Sequence, residues 1–217
     1  MKKTSYICVH GHFYQPPREN PWTAQVEAEQ SARPYHDWNQ RILNECYGPL
    51  CACPTALAPN RAGGQASSKD KIEKLRNIYS LISFNFGPTL LSWMEKNARH
   101  VYMAIMEADR QSMRARSGYG NAIAQVYNHV IMPLAGLRDK RTQVKWGIED
   151  FICRYRRKPE GMWLPETAAD DETLEVLCES DVRFTVLSPL QAFRFKAHGM
   201  DKWEIANENN FDTTRPY

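Results

Sequence analysis

The sequence predicts an α/β fold built around a parallel sheet. Short apolar runs typical of buried strands alternate along the chain with longer segments whose apolar residues recur at helical spacing. Such alternation favours βα units, and therefore parallel strands. With 217 residues, of which 42% are hydrophobic and 24% charged, the chain is long enough for one domain with a sizeable core.

The first βα unit is predicted from an apolar run, a loop and a capped helix. The run at residues 4–9 is a buried strand that ends at the polar residue His10. Four prolines mark residues 13–35 as a long ordered loop, and such loops are often functional. Asp37 suits the N-cap of the helix that follows. Residues 48–70, rich in Gly, Pro, Ala and Ser, are predicted to form a surface excursion.

The middle of the chain predicts two further units. A second strand lies near residues 81–86, and Gly87–Pro88 then begins a helical region. Residues 121–132 contain a third strand. An amphipathic helix follows, with one apolar stripe over 144–155.

The last two strands are short. Residues 161–164 form the fourth strand, after which Asp170 or Asp171 caps another helix. Residues 183–187 form the fifth strand, and residues 189–217 are predicted to be mostly loop.

Five βα units leave a barrel of parallel strands unfinished. An eight-unit barrel typically needs ~250 residues, and an open sheet edge is a feature that proteins usually avoid. We therefore expect residues 1–217 to be the N-terminal part of a single domain, truncated after about five units. At least two more strands are expected beyond Tyr217 in the intact protein.

Composition excludes several classes of function. The net charge of +3 and the pI of about 8.5 come with no clustered basic face, so no nucleic-acid partner is expected. No apolar stretch approaches the length of a membrane span, and the N-terminus is too short for a secretory signal, so we expect a cytoplasmic protein. Phosphate-binding glycine patterns and trusted zinc spacings are missing, so no cofactor or metal is expected.

Three polar clusters each follow a predicted strand. The carboxyl ends of parallel strands meet at one face of a barrel, and active sites lie there. We therefore expect the three clusters to converge on one site. They are His10–Gly11–His12 with Gln15, Tyr127–Asn128–His129, and Trp163–Leu164–Pro165–Glu166.

The chemistry of these residue types suits a saccharide. A tryptophan such as Trp163 can stack on the C–H face of a sugar while the neighbouring carboxylate of Glu166 meets C1 or a hydroxyl. Alternatively, Glu166 is an exposed residue that caps the next helix. His10 and His12 are two apart, so on a strand they point the same way and can bind hydroxyls or a metal, which we favour over a core role.

Three other residues are ambiguous on sequence alone. His129 is as consistent with a structural histidine in a strand-end loop as with a ligand-binding one. Gln15 and Trp22 lie in the proline-rich loop, where they could line a pocket or hold the loop in place by hydrogen bonds.

Long motifs in a fixed order resemble glycoside hydrolase family 57. Residues 10–22 resemble the family's first signature, residues 127–134 its second block, and residues 161–166 with Asp170 its third. The closest resemblance is to a subgroup with an additional uncharacterised C-terminal region. It covers nearly the whole chain except residues 48–72.

The resemblance implies a fold, a mechanism and site residues. It implies an incomplete (β/α)7 TIM-like barrel of the glycoside hydrolase/deacetylase kind, with Glu166 as the nucleophile of a retaining hydrolase or transglycosylase. The implied substrate is an α-glucan-like polysaccharide, with an α-amylase or 4-α-glucanotransferase activity. The acid is an aspartate in a fourth motif that this sequence lacks, so this fragment alone is expected to be inactive. The implied sugar-binding residues are His10, His12, Gln15, Trp22, Tyr127, His129, Trp163 and Asp170.

Two other functions stay open at this point. A His-x-His sequence after the first strand also opens metal sites that activate water, and Glu166 with His129 could complete such a site in a metal-dependent hydrolase. A carbohydrate-binding protein without catalysis is the third hypothesis, because the acid is missing.

Overall fold

The structure is a computed structural model that describes residues 7–55, 74–196, 200–207, 210 and 212–213. It has an α/β fold with short strands and longer helices. The strands are β1 (His10–Phe13), β2 (Cys53–Thr55), β3 (Lys74–Arg76), β4 (Ser83–Phe86), β5 (Ala124–Gln125), β6 (Met162–Trp163), β7 (Arg194–Phe195) and β8 (Glu204–Ile205). The α-helices are α1 (Trp38–Ile42), α2 (Gly48–Cys51), α3 (Pro88–Asn97), α4 (Arg99–Ala115), α5 (Leu137–Tyr155) and α6 (Asp171–Glu179).

Five parallel segments lie side by side in the order in which they occur along the chain. β1 pairs with β4, and β5 pairs with β6. A single parallel bridge between Phe84 and Ala122 connects these two pairs into one ladder. A second bridge, between Gly161 and Phe184, adds the fifth segment. The predicted parallel βα arrangement is therefore confirmed. Within the described residues β1 pairs only with β4, so the ladder is open rather than a closed barrel.

Several strands are shorter than predicted, and the first and the fifth differ most. The first strand begins at His10, whereas residues 7–9 are not in a strand and residues 4–6 lie outside the described part. Polar histidines occupy this strand because β4 places polar side chains opposite them. The fifth segment makes only the bridge at Phe184, since its partner β6 is two residues long and is soon followed by Pro165, which has no N–H to donate.

The helices follow the predicted starts. Asp37 caps α1 by accepting a hydrogen bond from the backbone N–H of Gln40 at 3.0 Å, and Asp170 caps α6. A π-helical turn at Leu43–Tyr47 joins α1 to α2. The core lies between the ladder and α3–α6. Its largest fully buried apolar side chains include Phe84, Leu90, Leu91, Met94, Ile105, Met132, Met162 and Leu164.

A glycine brings α5 onto the sheet. A Cβ atom at Gly147 would lie 2.1 Å from the backbone oxygen of Gln125 in β5. The close approach fixes β5 against α5, and Gln125 carries one of the side chains of the site described below.

A buried ion pair lies at the amino ends of the parallel strands. Arg157 donates to Asp109 at 2.9 Å and to the backbone oxygen of Ala122, just before β5, at 2.8 Å. Ala122 N–H donates in turn to Asp109. These groups lie at the amino ends of the strands, so their role is to hold the sheet together.

The remaining segments are small hairpins. β2, which lies in the predicted surface excursion of residues 48–70, pairs antiparallel with β3, which follows that excursion; residues 56–73 lie outside the described part of the chain. β7 and β8 form an antiparallel pair in the region predicted to be mostly loop. Across the described residues, no helix has both the length and the apolar character needed to cross a membrane.

Candidate active site

Two histidines project from β1 toward polar residues of β4. The register sets His10 opposite Ser83 and His12 opposite Asn85. His10 Nδ1 lies 2.9 Å from Ser83 Oγ, and His10 Nε2 lies 3.1 Å from Asn85 Oδ1. His12 also contacts Asn85, which confirms that both histidines point to the same side of the strand.

Two buried amides join the histidines to the next strand. Asn85 is fully buried, and its Nδ2 donates to Oε1 of Gln125 in β5 at 2.7 Å. The same Nδ2 lies 2.9 Å from His12 Nδ1. Neither amide was selected from the sequence. The available signal was a polar residue inside each of two otherwise apolar strands.

His129 reaches the cluster from the loop after β5. Its Nε2 lies 3.0 Å from His12 Nε2, and its ring stacks on Tyr14 with the centroids 3.9 Å apart. The backbone of His129 is left-handed, with φ of 55°. This conformation is uncommon for residues other than glycine and often marks functional sites. Tyr14 was also missed as a site residue, although it lies in the first motif.

Trp163 of β6 forms one wall of the cluster. Its ring stacks on His10 and on His12, with centroids 5.1 and 4.8 Å apart and interplanar angles of 12° and 18°. The indole N–H is buried and has no hydrogen-bond partner among the described residues. It is therefore an available donor.

Glu166 follows β6 on a tight turn. Its φ and ψ are 55° and 17°, and the next residue, Thr167, also has a positive φ of 53°. A left-handed conformation is unfavourable for a β-branched residue, so this turn is strained. Glu166 is exposed and makes no hydrogen bond to any other described side chain. Its charge nevertheless acts on both His12 and His129.

The electrostatics favour uncharged histidines. Burial lowers the pKa of His10, His12 and His129 below the usual value. Asn85 Oδ1, which can accept from a protonated ring of either His10 or His12, acts in the opposite direction, as does the negative charge of Glu166 on His12 and His129. In each case the pKa remains lowered, so the neutral rings combine donor and acceptor nitrogens.

Two predicted residues, Gln15 and Trp22, lie in the proline-rich loop. Gln15 donates to Tyr47 Oη at 3.3 Å and accepts from Arg18, which also pairs with Glu29 at 2.6 Å. Trp22 is 89% exposed. Gln15 thus holds the loop, while Trp22 is free to meet a ligand at its outer edge.

Tyr127 turns away from the cluster. Its ring makes an edge-to-face contact with Trp146 of α5, the centroids being 5.6 Å apart. These two rings line a surface groove together with Glu149, Asp150 and Cys153.

Asp170 is held by two structural contacts. It caps α6 by accepting from the N–H and hydroxyl of Thr173, and it accepts from Lys140 Nζ at 2.7 Å. The hydrogen bond from Lys140 is the main reason that the pKa of Asp170 falls to about 2. Lys140, whose side chain is only 2% exposed, also pairs with Glu172 at 2.8 Å.

The metal-site hypothesis lacks a ligand set in the part of the chain that is described. Nowhere in those ranges do three or more His, Cys, Asp or Glu side chains form a group that could hold a metal ion. The rings of His12 and His129 instead contact each other directly.

Comparison with known families decides the ancestry of the chain. The model of the family described as Glycosyl hydrolase family 57 matches residues 8–211. The chain belongs to glycosyl hydrolase family 57. The resemblance drawn from the three sequence motifs is therefore confirmed.

Among curated relatives, Alpha-amylase 1 of Dictyoglomus thermophilum is 22% identical over 112 residues. The match covers 52% of this chain and 16% of that protein, so it spans only a small part of that relative's length.

Solved structures with the same fold are larger. An exo-type maltose-forming amylase from Pyrococcus sp. ST04 is 16% identical with a TM-score of 0.54, covering 90% of this chain and 33% of its own. The α-amylase AmyC from Thermotoga maritima is 12% identical with a TM-score of 0.51, covering 87% and 40%. A family 57 branching enzyme from Thermococcus kodakaraensis is 17% identical with a TM-score of 0.50, covering 83% and 39%. At these identities the likeness shows the fold alone.

Proposed function

We propose that this site supplies the nucleophile of a retaining glycoside hydrolase or transglycosylase that acts on an α-glucan-like polysaccharide. The observation that carries the proposal is the position of Glu166. Its exposed carboxylate lies on a strained turn at the carboxyl end of β6, and its charge acts on His12 and His129.

The architecture supports a barrel site. Five parallel segments that follow chain order are typical of a singly wound barrel, whereas doubly wound sheets reverse their order. We propose that the ladder is part of a (β/α)7 barrel, with the histidine cluster at the carboxyl face. Two of the solved relatives are named amylases and one a branching enzyme, which supports an α-glucan as substrate.

The proposed reaction uses Glu166 twice. Its ionised oxygen forms a bond to C1 of the sugar as the bond from C1 to the leaving oxygen breaks, and an acid protonates that oxygen. Water or a sugar hydroxyl then attacks C1, releases Glu166 and returns a proton to the same acid. The two carboxyl groups of such enzymes lie ~5–5.5 Å apart. None of the aspartates in the 217 residues lies in the pattern of the fourth family motif.

The remaining site residues bind the sugar or hold the binding residues in place. His10, His12, His129 and Trp163 bind the sugar around C1, with Trp163 as its stacking platform. Gln15, Trp22 and Tyr127 serve more distant sugar units. Asp170 serves substrate binding indirectly, by holding the segment that follows Glu166 against Lys140 and α6.

Trapping of the covalent intermediate tests the proposal. The intact protein is incubated with 5-fluoro-α-glucosyl fluoride, from which fluoride leaves without help from an acid. We expect one glycosyl group on the peptide that contains Glu166, none on Glu166→Gln, and unchanged labelling of Glu175→Gln, which alters an exposed carboxylate of α6. Labelling of another residue would contradict the role of Glu166, and binding of maltotriose without labelling or turnover would favour a carbohydrate-binding protein.

A further inference from the structure

Asn85 connects the three strands of the site through its amide group. An amide has one oxygen that accepts and one NH2 group that donates twice. Asn85 Oδ1 lies 3.1 Å from His10 Nε2, while Nδ2 lies 2.7 Å from Gln125 Oε1 and 2.9 Å from His12 Nδ1. Since Gln125 Oε1 can only accept, Nδ2 is the donor in that contact.

With the amides of Asn85 and Gln125 in this orientation, the contacts assign the nitrogen of each histidine that carries its proton. His12 Nδ1 lies 2.9 Å from Asn85 Nδ2 and 3.2 Å from Asn85 Oδ1. We assign the shorter contact as the hydrogen bond of the neutral ring, so Nδ1 accepts and the proton of neutral His12 is on Nε2. That N–H points at His129 Nε2, 3.0 Å away, which must accept, so His129 carries its proton on Nδ1. On the other side, His10 Nε2–H donates to Asn85 and His10 Nδ1 accepts from the hydroxyl of Ser83. Rotating the side-chain amides of both Asn85 and Gln125 by half a turn would exchange their oxygen and NH2 positions and would reverse the donor and acceptor in every one of these hydrogen bonds.

We propose that Asn85 is a positioning residue that gives the cluster one direction of hydrogen bonding, so that His12 Nε2–H and His129 Nε2 form a donor–acceptor pair for a single hydroxyl group of a neutral saccharide. This inference rests on the proposed function and specifies how its ligand is recognised.

The chemistry of the pair selects the ligand. A hydroxyl both accepts and donates, so it can take the place of the direct contact between the two rings by accepting from His12 and donating to His129. A carboxylate, or a phosphate without its proton, has no hydrogen to donate to His129 and is repelled by the nearby charge of Glu166. The neutral state of the buried rings removes the positive charge that an anion would need.

The proton positions are measurable in the unmodified protein. Intact protein labelled with 15N-histidine is studied by two-bond 1H–15N correlation at about pH 7.5, well above the ordinary histidine pKa. Each ring is assigned from a single His→Gln variant. We expect the Nε2–H form of His12 and the Nδ1–H form of His129. The opposite forms, or a doubly protonated His12, would overturn the proposal without any need for an Asn85 variant.

Two variants separate the direction of hydrogen bonding from added charge. Asn85→Asp replaces the donor that faces His12 Nδ1 with an acceptor, so the proton moves to Nδ1. Gln125→Glu keeps the oxygen that accepts from Asn85 and changes only Nε2, which has no partner among the described residues. We expect His12 to remain the Nε2–H form in Gln125→Glu. The same His12 form in both variants would show that Asn85 does not set the direction.

The ligand is tested with maltotriose and sulfate on Glu166→Gln, which cannot turn the sugar over; sulfate has no hydrogen to donate at about pH 7.5. We expect maltotriose, and not sulfate, to shift the Nε2 signals of His12 and His129. Labelling of Glu166 in the native protein, combined with no shift on maltotriose, would remove the hydroxyl assignment and leave the proposed function. The expected tautomers, combined with no labelling of Glu166, would overturn the proposed function and leave the assigned direction of hydrogen bonding.

Discussion

The Nε2 atoms of His12 and His129 lie 3.0 Å apart, although the two residues are 117 positions apart in the chain. The contact joins the carboxyl end of the first parallel strand to the loop that follows the third. The burial and charge around either histidine therefore depend on both segments. A change in the position of one segment alters the surroundings of the histidine on the other.

The histidine cluster makes stability depend on pH near neutrality. Burial lowers the pKa of His10, His12 and His129 in the folded state, so the unfolded chain binds protons first as the pH falls below about 6.5. The stabilisation is complete above that value and is lost as the pH falls through the folded pKa values. We expect a smaller free energy of unfolding, measured with urea, at pH 5.5 than at about pH 7.5.

Single variants test whether the histidine cluster causes this pH dependence of stability. His12→Gln should weaken it, while His100→Gln, which removes an exposed histidine of α4, should preserve it. An equal effect of the two variants would place the dependence elsewhere. Glu166 faces His12 and His129 and raises the pKa of both, so Glu166→Gln should strengthen the dependence.

The indole N–H of Trp163 is predicted to bind sugar. Trp163→Phe keeps an aromatic ring, although a smaller one, against His10 and His12, and it removes the donor that lacks a partner among the described residues. We expect KM for maltotriose to rise about threefold to tenfold, as for loss of one hydrogen bond, with a smaller change in kcat. Trp38→Phe is the control, because its N–H donates to Ser31 on the exposed side of α1. An unchanged KM in Trp163→Phe would show that the indole N–H does not reach the substrate.

Gly147 is predicted to be intolerant of any side chain. The Cβ of Gly147→Ala would meet the backbone oxygen of Gln125 at 2.1 Å, so either α5 or β5 must shift. We expect a loss of about 3 kcal/mol in the free energy of unfolding, a typical upper value for overpacking. Gly136→Ala, where a Cβ meets nothing within 4 Å, should cost less than about 1 kcal/mol as a change at a helix N-cap. Similar losses in the two variants would contradict the close packing of α5 on β5.

Asp170 is predicted to act through stability rather than by touching sugar. Asp170→Asn keeps a good N-cap for α6 but removes the charge that faces Lys140, whereas Asp170→Ala removes both. We expect losses of about 1 and about 2 kcal/mol, respectively, in the free energy of unfolding, with KM unchanged in Asp170→Asn. Because the folded pKa is lowered to about 2, this contribution should be present above about pH 4 and disappear as the pH falls toward 2. A large rise in KM with unchanged stability would instead make Asp170 a direct sugar contact.

Much of the fold and half of the site could be predicted from local patterns. The alternation of apolar runs predicted five parallel segments, and Asp37 and Asp170 were recognisable as caps. Polar clusters after strands predicted that His12, His129 and Trp163 would meet, because parallel strands share one carboxyl face.

The rest depended on register, which local sequence does not set. Asn85 and Gln125 are site residues only because β4 and β5 align them with His12, and a shift of one position would turn them to the other face. Tyr127 follows Gln125 by two positions, but β5 ends at Gln125 and the ring then packs on Trp146 of α5. Packing between elements, rather than alternation along one strand, decides where this side chain lies.

The chain-ordered pairing of the parallel segments has a consequence for how the protein is made. Each segment joins the one before it, so none has to insert between two strands that have already paired. The sheet can grow at one edge as the ribosome releases successive units, and the loops closed at each step remain short compared with those of a sheet whose strands pair out of order. The turn at Glu166 follows the fourth segment, so it is released after β1 and the loop after β5, which carry the histidines of the candidate site.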